Sequence, residues 1–232
     1  YTRIARDPAR TVISPFPPDE RGKIPIYALA SETEALWFQL DPVGVAAWLI
    51  DNGLMAGKAP ETAEQAWAWV YTNLPGLRQS PTEPLYNEPA SAAVRTLIHT
   101  MSHVFLRRIE WSGFSPSSVG EYLLTGTLSF ILYANRHAET KIGGLTTLFE
   151  QRLGTWLWDA VQSGQECIYD PLCGDDGGSC AGCTHREHNC LFFNRDLSRS
   201  MLYGGPTPQN SELAAISIRH GYWAQAWQAA PT

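Results

Sequence analysis

Cys167-Ile168-Tyr169-Asp170-Pro171-Leu172-Cys173, followed by Cys180-Ala181-Gly182-Cys183 and then Cys190, gathers all five cysteines of the chain into one segment. A C-x2-C turn sets two thiolates one tetrahedral edge apart, and a Zn2+ ion held ~2.3 Å from each sulfur needs two further ligands. Cys167, Cys173 and Cys190 offer three. Two closed sets follow: Cys167, Cys173, Cys180 and Cys183 as C-x5-C-x6-C-x2-C, or Cys173, Cys180, Cys183 and Cys190 as C-x6-C-x2-C-x6-C. Gly174, Gly177, Gly178, Gly182 and Asp170-Pro171 leave the segment with little apolar mass and no helical or strand period. A metal is therefore expected to order it, as one structural zinc ion. His185 and His188 lie between Cys183 and Cys190, but thiolates outcompete imidazole for a closed site, so both read as solvated loop residues. The odd cysteine count and the lack of a signal-peptide pattern argue against a disulfide knot and lead to the expectation of a reducing, cytoplasmic setting.

Outward from this segment, the pattern is that of an α+β chain, mainly helical, with a small sheet and a Cys-rich loop. Residues 1–23 carry prolines and charges without a period and read as an extended lead-in. Ile24 to Ala30 and Ala35 to Leu40 have strand composition, and Ser31-Glu32-Thr33-Glu34 between them predicts a hairpin. Asp41-Pro42 supplies an N-cap and a proline at the first helical position, and Asn52-Gly53 a stop, which bracket one helix. A second runs from about residue 60 to 73, so that 24–75 reads as a hairpin and two helices. After a proline-rich linker, 90–110 has the longest helical pattern, with Leu97, Met101, Val104 and Phe105 at helical spacing. Ser115-Pro116 predicts a short helix carrying Val119, Tyr122 and Leu123, and the apolar run 128–134 a buried strand. Gly143-Gly144 opens a helix to about Gln162, and 194–202 and 211–228 read as helices, the latter C-terminal.

With 232 residues, 44% of them hydrophobic, the chain can bury a full core. Its apolar runs are far shorter than the roughly 20 residues that span a bilayer, which predicts a soluble protein. The first residue, Tyr1, is what a segment of something longer would show. A formal charge of −6 is opposite to the basic footprint of an autonomous nucleic-acid binder. Arg95, Arg107 and Arg108 fall on one predicted helix and Arg195 and Arg199 on another, where they read as solvated faces. Nine tryptophans are many for this length. Trp67 with Trp69, and Trp156 with Trp158, point in divergent directions on a helix, so one of each pair is expected outside the core, as at protein interfaces.

Three catalytic patterns fail on their own terms. His99-x3-His103 has zincin spacing, but the position after the first histidine is Thr100 where a zincin needs Glu as general base. A packing role, with both imidazoles partly buried and hydrogen-bonded, is expected instead. His185-Arg186-Glu187 stands on the wrong side of the C-x2-C for a zinc deaminase. Gly143-Gly144 at a helix start could cradle a phosphate, but close packing is the expected reason for it. No Walker A sequence and no DEAD-like box is present, so no enzymatic activity is expected of the chain by itself.

Leu97-Ile98-His99-Thr100-Met101-Ser102-His103, Ile131-Leu132-Tyr133, Gly143-Gly144-Leu145, and the cysteine segment continuing through Asn194 and Leu197-Ser198-Arg199 resemble the MrfA-type zinc-binding domain family. That module occurs at the C-termini of superfamily 2 DNA helicases and in the helicase-associated component of the DISARM antiphage system. The resemblance covers roughly 24–203, and its specific part is the cysteine segment. It implies that 24–232 forms a single helicase-associated zinc-binding domain, with a core over 90–203, a zinc loop over 167–190 and no catalysis of its own. The implied partners are a superfamily 2 helicase subunit and, further, DNA. The family pattern has a C-x-C pair, a C-x2-C pair and often a fifth cysteine before an Asn. Carried over, it favours Cys167, Cys173, Cys180 and Cys183 as ligands with Cys190 close by. The first pair here is C-x5-C, which keeps Cys190 as the alternative to Cys167. A module that grips the DNA backbone directly is the alternative function, and a zinc hydrolase or deaminase the remote one.

Overall fold

The computed structural model describes residues 2–4, 11–13, 16–26, 30, 32–79, 83–85, 87–135, 143–190, 192–209, 212–214 and 216–224. The chain divides into two units, Tyr1–Glu32 and Thr33–Thr232. In the first, β1 (Thr2–Ile4) pairs antiparallel with β2 (Thr11–Ile13). The Asp19 carboxylate accepts from the backbone N–H groups of Arg21 and Lys23 and closes a turn.

The second unit is α+β. Its sheet comprises β3 (Ala35–Gln39), β4 (Val119–Leu124) and β5 (Ser129–Ala134), antiparallel throughout in the order β3-β5-β4. The apolar run read as a buried strand is the central one. The hairpin expected between 24–30 and 35–40 does not form among the described residues: Ile24 to Ile26 are not strand, and 27–29 lie outside the described set. β3 pairs with β5 instead, Phe38 opposite Phe130, because the buried run offers it a ring to stack on at 5.0 Å. The helix expected after Ser115-Pro116 is only a 3-10 turn, Pro116–Ser118, before β4 begins. On β4 a period of two decides the faces, so that Tyr122 points outward while Glu121 and Leu123 turn toward the core.

α1 (Pro42–Asp51) starts as its sequence predicts, with the Asp41 carboxylate accepting from Val43 and Gly44 N–H. α2 (Ala63–Asn73) is capped by Thr62, whose hydroxyl accepts from Gln65 N–H. α3 (Pro89–Leu106) runs through the middle of the unit, and every residue from Ala90 to Leu106 is buried. Such a helix has no solvated face. Arg95 is therefore inside, 2.7 Å from Glu212, and not on the exposed face expected of it. α4 (Gly144–Ser163) packs Trp156 against Phe38 and Phe105. Its first N–H groups, which could have cradled a phosphate, are taken by the Glu34 carboxylate, which accepts from Gly143, Leu145 and Thr146. A Cβ on Gly144 would lie 2.7 Å from both the Phe114 ring and Ser112 O, so close packing does account for that glycine.

After the cysteine segment, which contains the one-turn α5 (Leu172–Asp175), the helix expected over 194–202 shrinks to α6 (Ser200–Tyr203). Asn194 and Asp196 hold φ values of 59° and 56°, which interrupt a right-handed helix. The helix expected over 211–228 is absent from its described residues. A turn and β7 (Ser217–Ile218), paired with β6 (Gly205–Pro206), stand there, and 225–228 lie outside the described set. Tyr222 and Trp223 donate their N–H groups to the carbonyls of Met201 and Leu202, a tertiary pairing that replaces helical bonds. Among the described residues no helix is long and apolar enough to cross a membrane.

Candidate metal centre

The cysteine segment folds back on itself in tight turns. Cys173 N–H bonds Tyr169 O, Gly178 N–H bonds Cys173 O, and Cys183, Thr184 and His185 all donate to Cys180 O. This brings Cys167, Cys173, Cys180 and Cys183 together. Sγ–Sγ distances are 3.4 Å for Cys167–Cys180, 3.3 Å for Cys173–Cys180, 3.5 Å for Cys173–Cys183 and 3.6 Å for Cys180–Cys183. A disulfide would need about 2.05 Å. The edge of a tetrahedron with ~2.3 Å metal–sulfur bonds is about 3.8 Å, close to what is seen. The four sulfurs can hold a metal ion.

Backbone N–H groups are directed at two of these sulfurs. Tyr169 N–H points at Cys167 Sγ and Gly182 N–H at Cys180 Sγ. Burial and the neighbouring thiols push Cys173 well up from the ordinary thiol range. At Cys180 the bonds from Cys173 and Cys167 outweigh burial and hold it down. Four sulfurs this close cannot all ionise unless a cation takes up their charge.

Asp170 and Arg199 brace the loop. The Asp170 carboxylate accepts from Cys167 N–H at 2.8 Å, Gly174 N–H at 3.0 Å and Arg199 Nη2 at 2.6 Å. The hydrogen bond from Arg199 holds that carboxyl below its usual range against the opposing effect of burial, and Arg199 reaches Gln165 O through its other terminal nitrogen. Gly178, at φ 67°, has no room for a side chain, since a Cβ would sit 2.7 Å from Arg199 Cβ. Arg199 is thus a buried strut and not part of a solvated face, while Arg195 is exposed. Arg107, also exposed, fastens the end of α3 to the Cys180–Cys183 turn through Gly182 O.

Cys190 is not in the four-sulfur group. It lies beside α3, where His99, His103, Glu121 and Cys190 converge with their ligand atoms within 4.8 Å of one another. Both imidazoles are fully buried, at 1% and 0% exposure, and not partly buried as the sequence led one to expect. Glu121 reaches them from the inner face of β4, with burial favouring its neutral form and the facing imidazoles of His103 and His99 outweighing burial to keep it ionised. Its other oxygen accepts from the Ser102 hydroxyl. Sequence reasoning missed Glu121, although an acid flanked by apolar residues in a strand, Val119-Gly120-Glu121-Tyr122-Leu123, was a readable signal. His185 is half-buried and bonded to Ser179, so it is not simply solvated, whereas His188 is exposed.

Fold and site together define a helix-rich α+β protein with a four-cysteine cluster able to bind metal. Comparison with protein-family models finds no match, and comparison with curated proteins finds none either.

Proposed function

We propose that the four-cysteine cluster holds one structural zinc ion, and that the chain is a non-catalytic accessory module working beside a superfamily 2 helicase, similar to the C-terminal part of DrmB in the DISARM antiphage system. The observation that carries this reading is the cluster itself. All four positions of a tetrahedron are supplied by thiolates on a loop with no core of its own, the arrangement of structural and not catalytic zinc, which keeps a position open for water.

Surface apolar groups support a partner-binding role. Ile168 and Leu172, 84% and 77% exposed, project from the cysteine loop itself. On the outer face of the sheet Trp37 stands opposite Ile131, which stands opposite Tyr122, and both Trp37 and Tyr122 are more than half exposed. Aromatic residues displayed in this way are enriched at protein interfaces. Acidic net charge favours a protein partner over autonomous DNA binding. The module's place in the cytoplasm follows from the same reading.

The test is co-purification with a superfamily 2 helicase subunit, at low and high salt. Retention at both, weakened by Ile168→Asp with Leu172→Asp or by Trp37→Ala, is the expected result. Tight DNA binding by the chain alone that falls steeply with salt would favour the backbone-gripping alternative. ATP turnover by the isolated chain would overturn both.

A further inference from the structure

The convergence of His99, His103, Glu121 and Cys190 is left unexplained by packing. His103 Nδ1 lies 2.6 Å from Thr184 O and His99 Nδ1 lies 3.2 Å from Asp196 O. A carbonyl oxygen can only accept, so each Nδ1 carries a proton. Each Nε2 then presents its lone pair to the opposite side, and there it meets further acceptors. Glu121 Oε1 is 3.0 Å from His103 Nε2 and 3.3 Å from His99 Nε2, and Cys190 Sγ is 3.4 Å from His99 Nε2. The two rings stand side by side at 4.5 Å between centroids in a fully buried place, and their nitrogens, the carboxylate oxygen and the sulfur lie within 4.8 Å of one another.

From this geometry we infer that His99, His103, Glu121 and Cys190 form a second metal site, separate from the four-thiolate cluster, which takes a divalent ion of the zinc class. Two imidazole nitrogens, a carboxylate oxygen and a thiolate are a complete tetrahedral set for such an ion, and edges of about 3.3 Å are those expected between nitrogen and oxygen ligands at ~2.0–2.1 Å. The surroundings are those that orient metal ligands. Each histidine donates its other N–H to a backbone carbonyl, Ser102 bonds the second Glu121 oxygen, and Asn194 N–H points at Cys190 Sγ from 3.2 Å. With four protein ligands and burial, the site is structural. It joins three parts far apart in sequence: α3 through the histidines, β4 through Glu121 and the end of the cysteine segment through Cys190. The inference does not rest on the helicase reading.

Elemental analysis of the 232-residue chain purified without chelators is expected to find two zinc-class ions per chain where the cysteine spacing alone predicts one. X-ray absorption at the zinc edge should then show a mixed shell with imidazole scattering beside sulfur. In cobalt-loaded protein, Cys190→Ser and His99→Gln should each remove one ion per chain and leave the charge-transfer bands of the four-thiolate cluster unchanged. A single ion with an all-sulfur shell would overturn the inference, as would a Cys190→Ser protein that keeps both ions. If His99→Gln does not fold, the unmodified chain still decides through its metal count and ligand shell.

Discussion

Two charged residues, the buried Arg95 and the exposed Asp170, show how single side chains act in this unit. Arg95, 4% exposed, is bonded to Glu212 at 2.7 Å and lies 3.5 Å from Asp196. Replacing one partner of a buried pair leaves the others uncompensated, so Arg95→Ala is expected to cost about 3–5 kcal/mol in urea unfolding. A loss below about 1 kcal/mol would mean that the pair behaves as a surface contact. Asp170 braces the four-cysteine loop instead. Its carboxylate positions Cys167 through the backbone and is itself fixed by Arg199, so Asp170→Ala should lower zinc affinity roughly 10–100-fold in competition with a chromogenic chelator, the size found for groups that orient ligands. Unchanged affinity would refute that role. At this scale the cysteines were legible because C-x2-C is a local signal. Glu121 and Arg95 were not, because burial of a charge is decided by partners that helical or strand spacing does not reveal.

Among the elements, α4 depends on a residue outside itself. Its N-cap is Gly143, which offers no side-chain acceptor, and the three N–H groups at its start are satisfied by Glu34 from the segment just before β3. Glu34→Ala should therefore lower stability by about 0.5–2 kcal/mol, the usual value of an N-cap, with the larger share restored by Glu34→Gln or Glu34→Asp only if either still reaches the helix. Thermal unfolding of the three variants measures this, and an unchanged midpoint in Glu34→Ala would show that water replaces the carboxylate. α1 shows the contrasting case. Its cap, Asp41, is adjacent in sequence, and its start was legible for that reason. The helices expected after Ser115 and over 211–228 failed where a strand partner or the carbonyls of α6 satisfied the same backbone groups from afar.

For the molecule as a whole, order comes from two sources. The apolar core gathers Leu97, Ile98, Phe130, Leu132 and Trp156, each fully buried, whereas the cysteine segment has only its own sulfurs at its centre. On the proposed reading, metal binding, worth roughly 10–16 kcal/mol in small zinc peptides, would supply that loop's folding free energy. Chelation should thus raise amide exchange over 167–190 first, with the middle of α3 and β5 still protected. Simultaneous loss of protection everywhere would show instead that the metal holds the whole unit. By itself the sequence determined what is encoded locally: the cysteine cluster, the capped start of α1, the central buried strand, the glycine pair before α4 and the mixed α+β character. Only the tertiary structure decided which partner each face meets. β3 left its expected neighbour for β5, and Cys190 left the other cysteines for the histidines of α3. The physical reason is that periodicity specifies which side of an element must be buried, while the choice among burial partners is made by packing and hydrogen-bond satisfaction summed across segments distant in the chain.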